Sequence, residues 1–203
     1  MKKIIEYANN LKDALSSLDD KKINELFEEV LKRIDGNGEI YIFGNGGSSA
    51  NASHIVGDYS KTFATLNKGI KINCPSDNIA YLAAISNDLD YSEIFNTLIN
   101  SRIKKGDLII FLSGSGNSMN LIKAARAAKK ENIKTVCLVG YSGGALKDLT
   151  DITIHIKVND MEIAEDAQMA IFHLIKQNLI EIICEKKVNS SKYFKRINEN
   201  LIA

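Results

Sequence analysis

Residues 40–61 constrain the fold of this chain most, because a short apolar run is followed there by a glycine-rich turn and the start of a helix. The apolar run predicts a buried strand. The glycines of the turn allow positive φ angles and a close approach of the backbone to a ligand. Ser48 and Ser49 are favourable N-caps, so we expect them to begin a helix whose positive dipole end faces the turn. Such a turn suits a phosphate or a sugar hydroxyl.

A second segment, 108–130, repeats the order of strand, polar turn and helix. Its turn at 113–118 offers serine hydroxyls, a side-chain amide and the free N–H groups of a helix N-terminus, which suit a phosphate. The turn has neither the lysine of a Walker loop nor the spacing of a dinucleotide fingerprint, so a sugar phosphate fits better than ATP or NAD. A plain helix cap is the alternative interpretation of this turn.

Strands alternate with helices along the rest of the chain, which predicts an α/β fold with a five-stranded parallel sheet covered by helices on both faces. The strands are predicted at 40–43, 70–74, 108–112, 135–139 and 152–158. Besides the helices after the two turns, helices are predicted at 2–18, 21–34, 79–85, 92–103, 145–149 and 162–185, with a loop at 86–88. Parallel sheets bind ligands at the carboxyl ends of their strands, where both turns lie.

We interpret the whole chain, 1–203, as a single domain in three parts. The helical pair in 1–35 precedes the first strand, so we expect it to pack outside the α/β core or against a neighbouring subunit. The α/β core spans 36–185 and ends with one long helix. The tail at 186–203 is polar, with Tyr193 on one apolar side, and is a candidate last helix.

His54 and Asp58 are four residues apart in the helix predicted after the first turn, so they share one face of it. Together they could hold a divalent metal ion or act as an acid/base pair. An ordinary helix histidine is the alternative interpretation of His54.

Glu165 and His173 lie on the predicted long helix, where each has a second interpretation. For Glu165, the alternative is a carboxylate that is simply stabilised by the helix dipole near the helix start. For His173, the alternative is a buried histidine in an apolar run that is hydrogen-bonded to a carbonyl. The two residues are eight positions apart, about 12 Å of helix rise, so one ion cannot easily bind both in one straight helix. If both are functional, either the helix begins after Glu165 or they come from different subunits and form a composite site.

The overall charge does not favour nucleic acid or an acidic membrane as a partner. Lysine and arginine number 26 against 25 aspartate and glutamate, which leaves no field that would attract nucleic acid or an acidic membrane. The N-terminal apolar residues have helical spacing, unlike a secretory signal, and no run approaches the ~18 apolar residues of a membrane span. The three cysteines lack CxxC spacing. We therefore expect a cytoplasmic protein that contacts neither nucleic acid nor membrane.

The motifs in order, GNGGS before the His54 helix, Asn87-Asp88, SGSGNS, and EDAQ before His173, resemble the sugar isomerase (SIS) domain family and, within it, the phosphoheptose isomerases. The resemblance covers nearly the whole chain. It implies an isomerase that interconverts sedoheptulose 7-phosphate and D-glycero-D-manno-heptose 7-phosphate through an enediol, for lipopolysaccharide or capsule synthesis. A SIS adaptor that binds a sugar phosphate or a protein without chemistry is the alternative.

The resemblance also implies roles for individual residues. The residues that would bind the sugar phosphate are Asn45, Gly46, Gly47, Ser48, Asn87, Asp88, Ser113, Gly114, Ser115 and Ser118. Asp58, Glu165 and His173 would be catalytic, and with His54 they would be able to hold a zinc ion. Asp58 stands where the family has a longer glutamate, and Glu165 adds a negative charge where the family has glutamine. The resemblance further implies a homotetramer with sites shared between subunits.

Overall fold

The sheet consists of five strands, all parallel, in a computed structural model that describes residues 3–185. The strand order is β2-β1-β3-β4-β5. The strands are β1 (Ile40–Gly44), β2 (Ile72–Asn73), β3 (Leu108–Ser113), β4 (Lys134–Val139) and β5 (Ile152–His155). The predicted α/β fold with a five-stranded parallel sheet is confirmed.

The helices follow the strands in alternation after an initial pair. They are α1 (Ile4–Ser16), α2 (Asp20–Leu31), α3 (Gly46–Thr65), α4 (Ile79–Asp88), α5 (Asn96–Ser101), α6 (Met119–Lys130), α7 (Leu146–Leu149) and α8 (Met161–Glu185). Single 3-10 turns lie at Pro75–Asp77 and Tyr91–Glu93. Within the described part of the chain, no helix combines the length and the apolar composition needed to cross a membrane.

Alternating residues of the strands enter two separate cores, because successive side chains of a strand point to opposite faces of the sheet. Ile40 and Ile42 of β1 pack with α1, α2, α3 and α8. Tyr41 and Phe43 pack on the other face with α5, α6 and α7. Phe43 stacks on Phe95 with ring centroids 4.5 Å apart. Each fully buried side chain of this size stabilises the fold by about 1.5–3 kcal/mol.

The N-terminal helices are part of the main core, and the expectation that they pack outside it is wrong. Leu26 and Val30 of α2 are 0% and 1% exposed in the same cluster as β1 and α8. The Tyr7 hydroxyl of α1 donates a hydrogen bond of 2.7 Å to Asp166 of α8. An amphipathic helix buries its apolar face on whatever apolar surface adjoins it, and here that surface is one face of the sheet. The predicted last helix at 186–203 lies outside the described residues.

Both edges of the sheet are shorter than predicted. We expected a strand over 70–74, but only Ile72 and Asn73 pair with β1. Pro75, which has no N–H to donate, opens a 3-10 turn directly afterwards. At the other edge β5 ends at His155, because its pairing partner β4 also ends there.

The helices predicted at 79–85 and 92–103 differ from the observed ones. α4 continues through 86–88, which we expected to be a loop, and its start is capped by Asn78, which accepts a 3.0 Å hydrogen bond from Tyr81 N–H. The segment 92–103 is a 3-10 turn followed by the short α5. Between them lie Ile94 and Phe95, whose side chains are buried at 1% and 0% exposure.

Candidate active site

A cavity of about 310 Å³ lies between the carboxyl ends of β1 and β3. Strand order 2-1-3-4-5 reverses its direction between these two strands, and open α/β sheets bind ligands at such a reversal. The cavity is lined by Asn45, Gly46, Gly47, Ser48, Leu112, Ser113, Gly114, Ser115, Ser118, Leu121, Met161 and Glu165. The two turns singled out in the sequence therefore form one cavity.

Eight of the ten residues predicted to bind the sugar phosphate line this cavity. Asn87 and Asp88 do not, because they form the exposed last turn of α4, where the Asn87 amide donates to Asp88. A larger cavity of 640 Å³ lies beside β2, and its lining contains no residue that we predicted to be functional.

The first turn is tighter than we expected, since α3 begins at Gly46 and neither Ser48 nor Ser49 is its N-cap. Gly46 has a φ of +53°, a conformation that side chains rarely tolerate. At Gly47, a Cβ would lie only 2.3 Å from Glu165 Oε2. Glycine at position 47 therefore leaves room for the Glu165 carboxylate over the start of α3.

The serine turn presents its polar groups at the start of α6. Ser113 Oγ accepts a 3.0 Å hydrogen bond from Gly116 N–H, and Ser115 Oγ accepts one of 3.2 Å from Asn117 N–H. Ser118 is the N-cap of α6, but its side chain makes no capping hydrogen bond. Its hydroxyl and the first N–H groups of α6 are thus able to bind an anion.

A reciprocal pair of amides joins the two turns. Asn120 Nδ2 donates to Asn45 Oδ1 at 2.8 Å, and Asn45 Nδ2 donates to Asn120 Oδ1 at 3.0 Å. The Tyr91 hydroxyl also donates to Asn45 Oδ1, at 2.9 Å. Our sequence analysis missed Asn120 and Tyr91. A polar residue among buried neighbours in the first turn of α6 is the signal that could have identified Asn120.

We expect Asn120→Ala to lower the free energy of unfolding by about 1–2 kcal/mol, because it removes the hydrogen-bond partner of the half-buried Asn45 amide. Urea denaturation measures this loss. The matched control is Asn10→Ala at an exposed position of α1, where we expect a change within about 0.5 kcal/mol. Equal effects of the two substitutions would contradict a role for Asn120 in joining the turns.

Glu165 faces the cavity from α8. Its Oε1 accepts a hydrogen bond of 3.3 Å from Ser48 Oγ, and its carbonyl accepts one of 3.0 Å from the Asn51 amide. The neighbouring Asp166 instead accepts a hydrogen bond from the Tyr7 hydroxyl of α1. α8 begins at Met161, so the alternative in which the helix starts after Glu165 is wrong. Simple helix electrostatics does not explain why this carboxylate points into the cavity.

A second cluster lies further along α3 and α8, where potential ligand atoms of His54, Asp58 and His173 are all within 4.8 Å of one another. His54 Nε2 and His173 Nε2 are 3.5 Å apart. His173 is exposed and faces His54, so its interpretation as a buried histidine bonded to a carbonyl is wrong. Glu165 is not a member of the cluster, as its eight-residue separation from His173 requires.

Lys176, which the sequence analysis missed, adjoins this cluster. Its Nζ donates to Asp58 Oδ2, while Lys61 Nζ lies 3.4 Å from Asp58 Oδ1. Burial alone would raise the pKa of Asp58, but the hydrogen bond and charge of Lys176, together with Lys61, outweigh it and hold the pKa below its ordinary value. Asp58 is therefore an ionised carboxylate with both oxygens engaged.

The pKa of His173 is lowered below its ordinary value of 6.5. Desolvation of the ring is the largest cause, and the charge of Lys176 adds to it. The imidazole is consequently neutral at pH 7, with a free nitrogen that can bind a metal or accept a proton.

The candidate site contains two centres, and helices α3 and α8 contribute residues to both. One is a cavity that offers hydroxyls and helix N-termini to an anion and a carboxylate to a bound molecule. The other offers two imidazoles and a carboxylate, which are able to hold a metal ion or to transfer protons.

Known proteins with similar sequences or structures include several isomerases. Residues 5–140 match the SIS domain family. The chain is 32% identical to the phosphoheptose isomerase of Thermodesulfovibrio yellowstonii over 163 residues, 80% of this chain and 81% of that protein. It is 32% identical to the probable phosphoheptose isomerase of Thermoplasma volcanium over 162 residues, 80% of this chain and 83% of that protein. The solved phosphoheptose isomerase of Neisseria gonorrhoeae has the same fold, with a TM-score of 0.78 and 22% identity over 87% of this chain and 94% of that chain.

Proposed function

The chain belongs to the SIS domain family, and on that basis we propose that it is a phosphoheptose isomerase. The reaction interconverts sedoheptulose 7-phosphate, a ketose, and D-glycero-D-manno-heptose 7-phosphate, an aldose, through an enediol intermediate. The product supplies heptose for lipopolysaccharide or capsule synthesis. The proposed place of action is the cytoplasm, where the three unpaired cysteines remain reduced.

The cavity between β1 and β3 carries this proposal. Its lining, as far as residues 3–185 describe it, contains no lysine or arginine. The phosphate is therefore held by the serine hydroxyls and by backbone N–H groups at the start of α6. Glu165 is the one carboxylate of that lining and lies at the start of α3. A phosphate at one end and a base at the other suit a sugar phosphate.

Glu165 is the general base in this proposal. It takes a proton from C1 of the ketose while the electrons of the C–H bond move toward the C2 carbonyl, which gives the enediol, and it then returns a proton to C2. Asp58, the base that the resemblance implies, fits less well. It does not line the cavity, and both of its oxygens are held by lysines.

His173 exchanges protons with the two oxygens of the enediol. On the continuous α8 it lies about 12 Å of rise from Glu165, whereas proton transfer needs hydrogen-bond reach of roughly 3 Å. One copy of the chain therefore cannot bring both residues to the same carbon atoms. We propose a homotetramer in which a second copy contributes His173 to each site.

Exposed apolar side chains on α4 support the proposal of an oligomer. α4 has no buried residue, although most of its residues are apolar. Ile79 at its start is 76% exposed, and Leu89 just after its end is 61% exposed. A helix with apolar residues on most sides is normally covered by other protein. A second copy of the chain is the proposed cover.

We expect Ile79→Glu to raise the dissociation constant of the oligomer at least about tenfold, because burying an unpaired carboxylate at the proposed interface costs more than the roughly 1.4 kcal/mol that corresponds to a factor of ten. Light scattering across a dilution series measures the mass, which for the wild type is four times 22.4 kDa. Arg126→Glu at an exposed position of α6 is the control and leaves the mass unchanged. A wild-type mass of 22.4 kDa at every concentration would contradict the oligomer.

Zinc is the proposed cofactor, and His54, Asp58 and His173 would hold it. Two ligands of a tetrahedral zinc ion, each about 2.1 Å from the metal, lie roughly 3.4 Å apart. The two histidine nitrogens, 3.5 Å apart, fit this spacing. Bound zinc would supply Lewis acidity toward an oxygen of the substrate. Glu165, the fourth ligand that the resemblance implies, is too far along α8 to join them in the same copy.

The function is tested with purified protein, stripped of metal by a chelator and incubated with sedoheptulose 7-phosphate with and without added zinc. We expect NMR to detect the anomeric proton of the aldose in at least one condition. Oligomeric protein that produces no aldose in either condition would contradict the isomerase. Binding of the sugar phosphate without turnover would instead support the adaptor alternative.

A further inference from the structure

Lys176 lies where it neutralises Asp58 in the way that a metal ion would. Its Nζ donates to Asp58 Oδ2, and the side chains of both residues are only 13% exposed. Lys61 approaches the other oxygen at 3.4 Å, but its side chain is 62% exposed. Ion pairs shielded from water are stronger than exposed ones, so Lys176 is the more effective partner.

A metal ion in the cluster has to share this carboxylate. His54 and His173 present two nitrogens, and Asp58 is the third residue whose ligand atoms lie within 4.8 Å of the others. If the ion binds Asp58, it must displace Lys176 from Oδ2 or share the carboxylate with it. The ammonium group then lies beside a doubly charged ion in a partly buried site, where like charges repel more strongly than in water.

We propose that Lys176 is a built-in competitor of divalent cations at the cluster of His54, Asp58 and His173. The lysine lowers the affinity of the cluster for zinc and keeps Asp58 neutralised when no metal is bound. This inference rests on the proposed metal site and does not depend on isomerase activity.

The test is the zinc affinity of purified variants, measured by competition with a chromophoric chelator at fixed pH and ionic strength. Lys176→Met removes the charge and keeps the length of the side chain, and we expect it to bind zinc at least about tenfold more tightly than the wild type. Lys176→Arg keeps the charge and stays within about threefold of the wild type. Lys61→Met removes the exposed charge on the same carboxylate and also stays within about threefold.

Several results would overturn the inference. Lys176→Met could bind zinc no more tightly than the wild type, or Lys61→Met could tighten binding equally, which would indicate a general charge effect. The gain in zinc affinity from Lys176→Met could also persist in full when Asp58 is replaced by asparagine, although Lys176 and zinc then have no carboxylate to compete for. Absence of zinc binding in every variant would contradict the metal site itself. Lys176→Gln replaces Lys176→Met if the latter fails to fold.

Discussion

Glu165→Gln lowers kcat for sedoheptulose 7-phosphate by about 10³-fold and changes KM by less than about threefold. The amide has nearly the shape of the carboxylate and can still accept a hydrogen bond from Ser48, but it cannot take a proton from carbon. A residue that acts only in the transition state affects kcat far more than KM. Initial rates measured by NMR test this. In D2O, exchange of the C1 proton with solvent falls by the same factor, because the base also catalyses that exchange.

Two further variants make this result specific. Glu162→Gln alters an exposed carboxylate three residues earlier on α8 and leaves the rate unchanged. Asp58→Asn distinguishes the two candidate bases. If Glu165→Gln stays within tenfold of the wild-type rate while Asp58→Asn loses about 10³-fold, the base is Asp58 and the assignment to Glu165 is wrong.

The central strands could be predicted from the sequence because their physical cause is local. The strands of a covered parallel sheet are buried on both faces, so β1 and β3 are continuous apolar runs ended by glycine and serine. The position of the N-terminal pair could not be predicted in this way. The spacing of apolar residues in α2 shows which face is buried, but the surface that covers it is brought together only by the fold.

The site residues that could be predicted also have a local cause in the sequence, whereas the missed ones depend on contacts that only the fold brings together. The cavity residues follow β1 and β3, and adjacent parallel strands end at the same edge of the sheet. Asn120 and Lys176 have partners 75 and 118 positions away, respectively. A local pattern can single out Asn120 as a polar residue among apolar neighbours, but it cannot identify the distant partner of either residue. Asn87 and Asp88 entered the prediction through family resemblance alone, and in this chain they lie outside the cavity.

Ser118→Asp raises KM for sedoheptulose 7-phosphate about 100-fold, because it places a carboxylate where the phosphate dianion binds. Juxtaposed like charges cost several kcal/mol, and about 2.7 kcal/mol corresponds to a factor of 100. Ser118 is the N-cap of α6, and aspartate is as favourable as serine at that position. The helix therefore starts at the same residue, and the substitution changes the charge of the site more than its fold.

Titration with inorganic phosphate, followed by calorimetry, provides a readout that does not depend on turnover, and we expect the same weakening there. Ser118→Asn is the matched control, since asparagine is an equally favourable N-cap of nearly the same shape as aspartate but carries no charge. It should bind phosphate within about fivefold of the wild type. Equal losses in the two variants would mean that shape matters at this position and charge does not. Wild-type affinity in Ser118→Asp would place the phosphate elsewhere in the cavity, nearer the start of α3 and the Glu165 carboxylate.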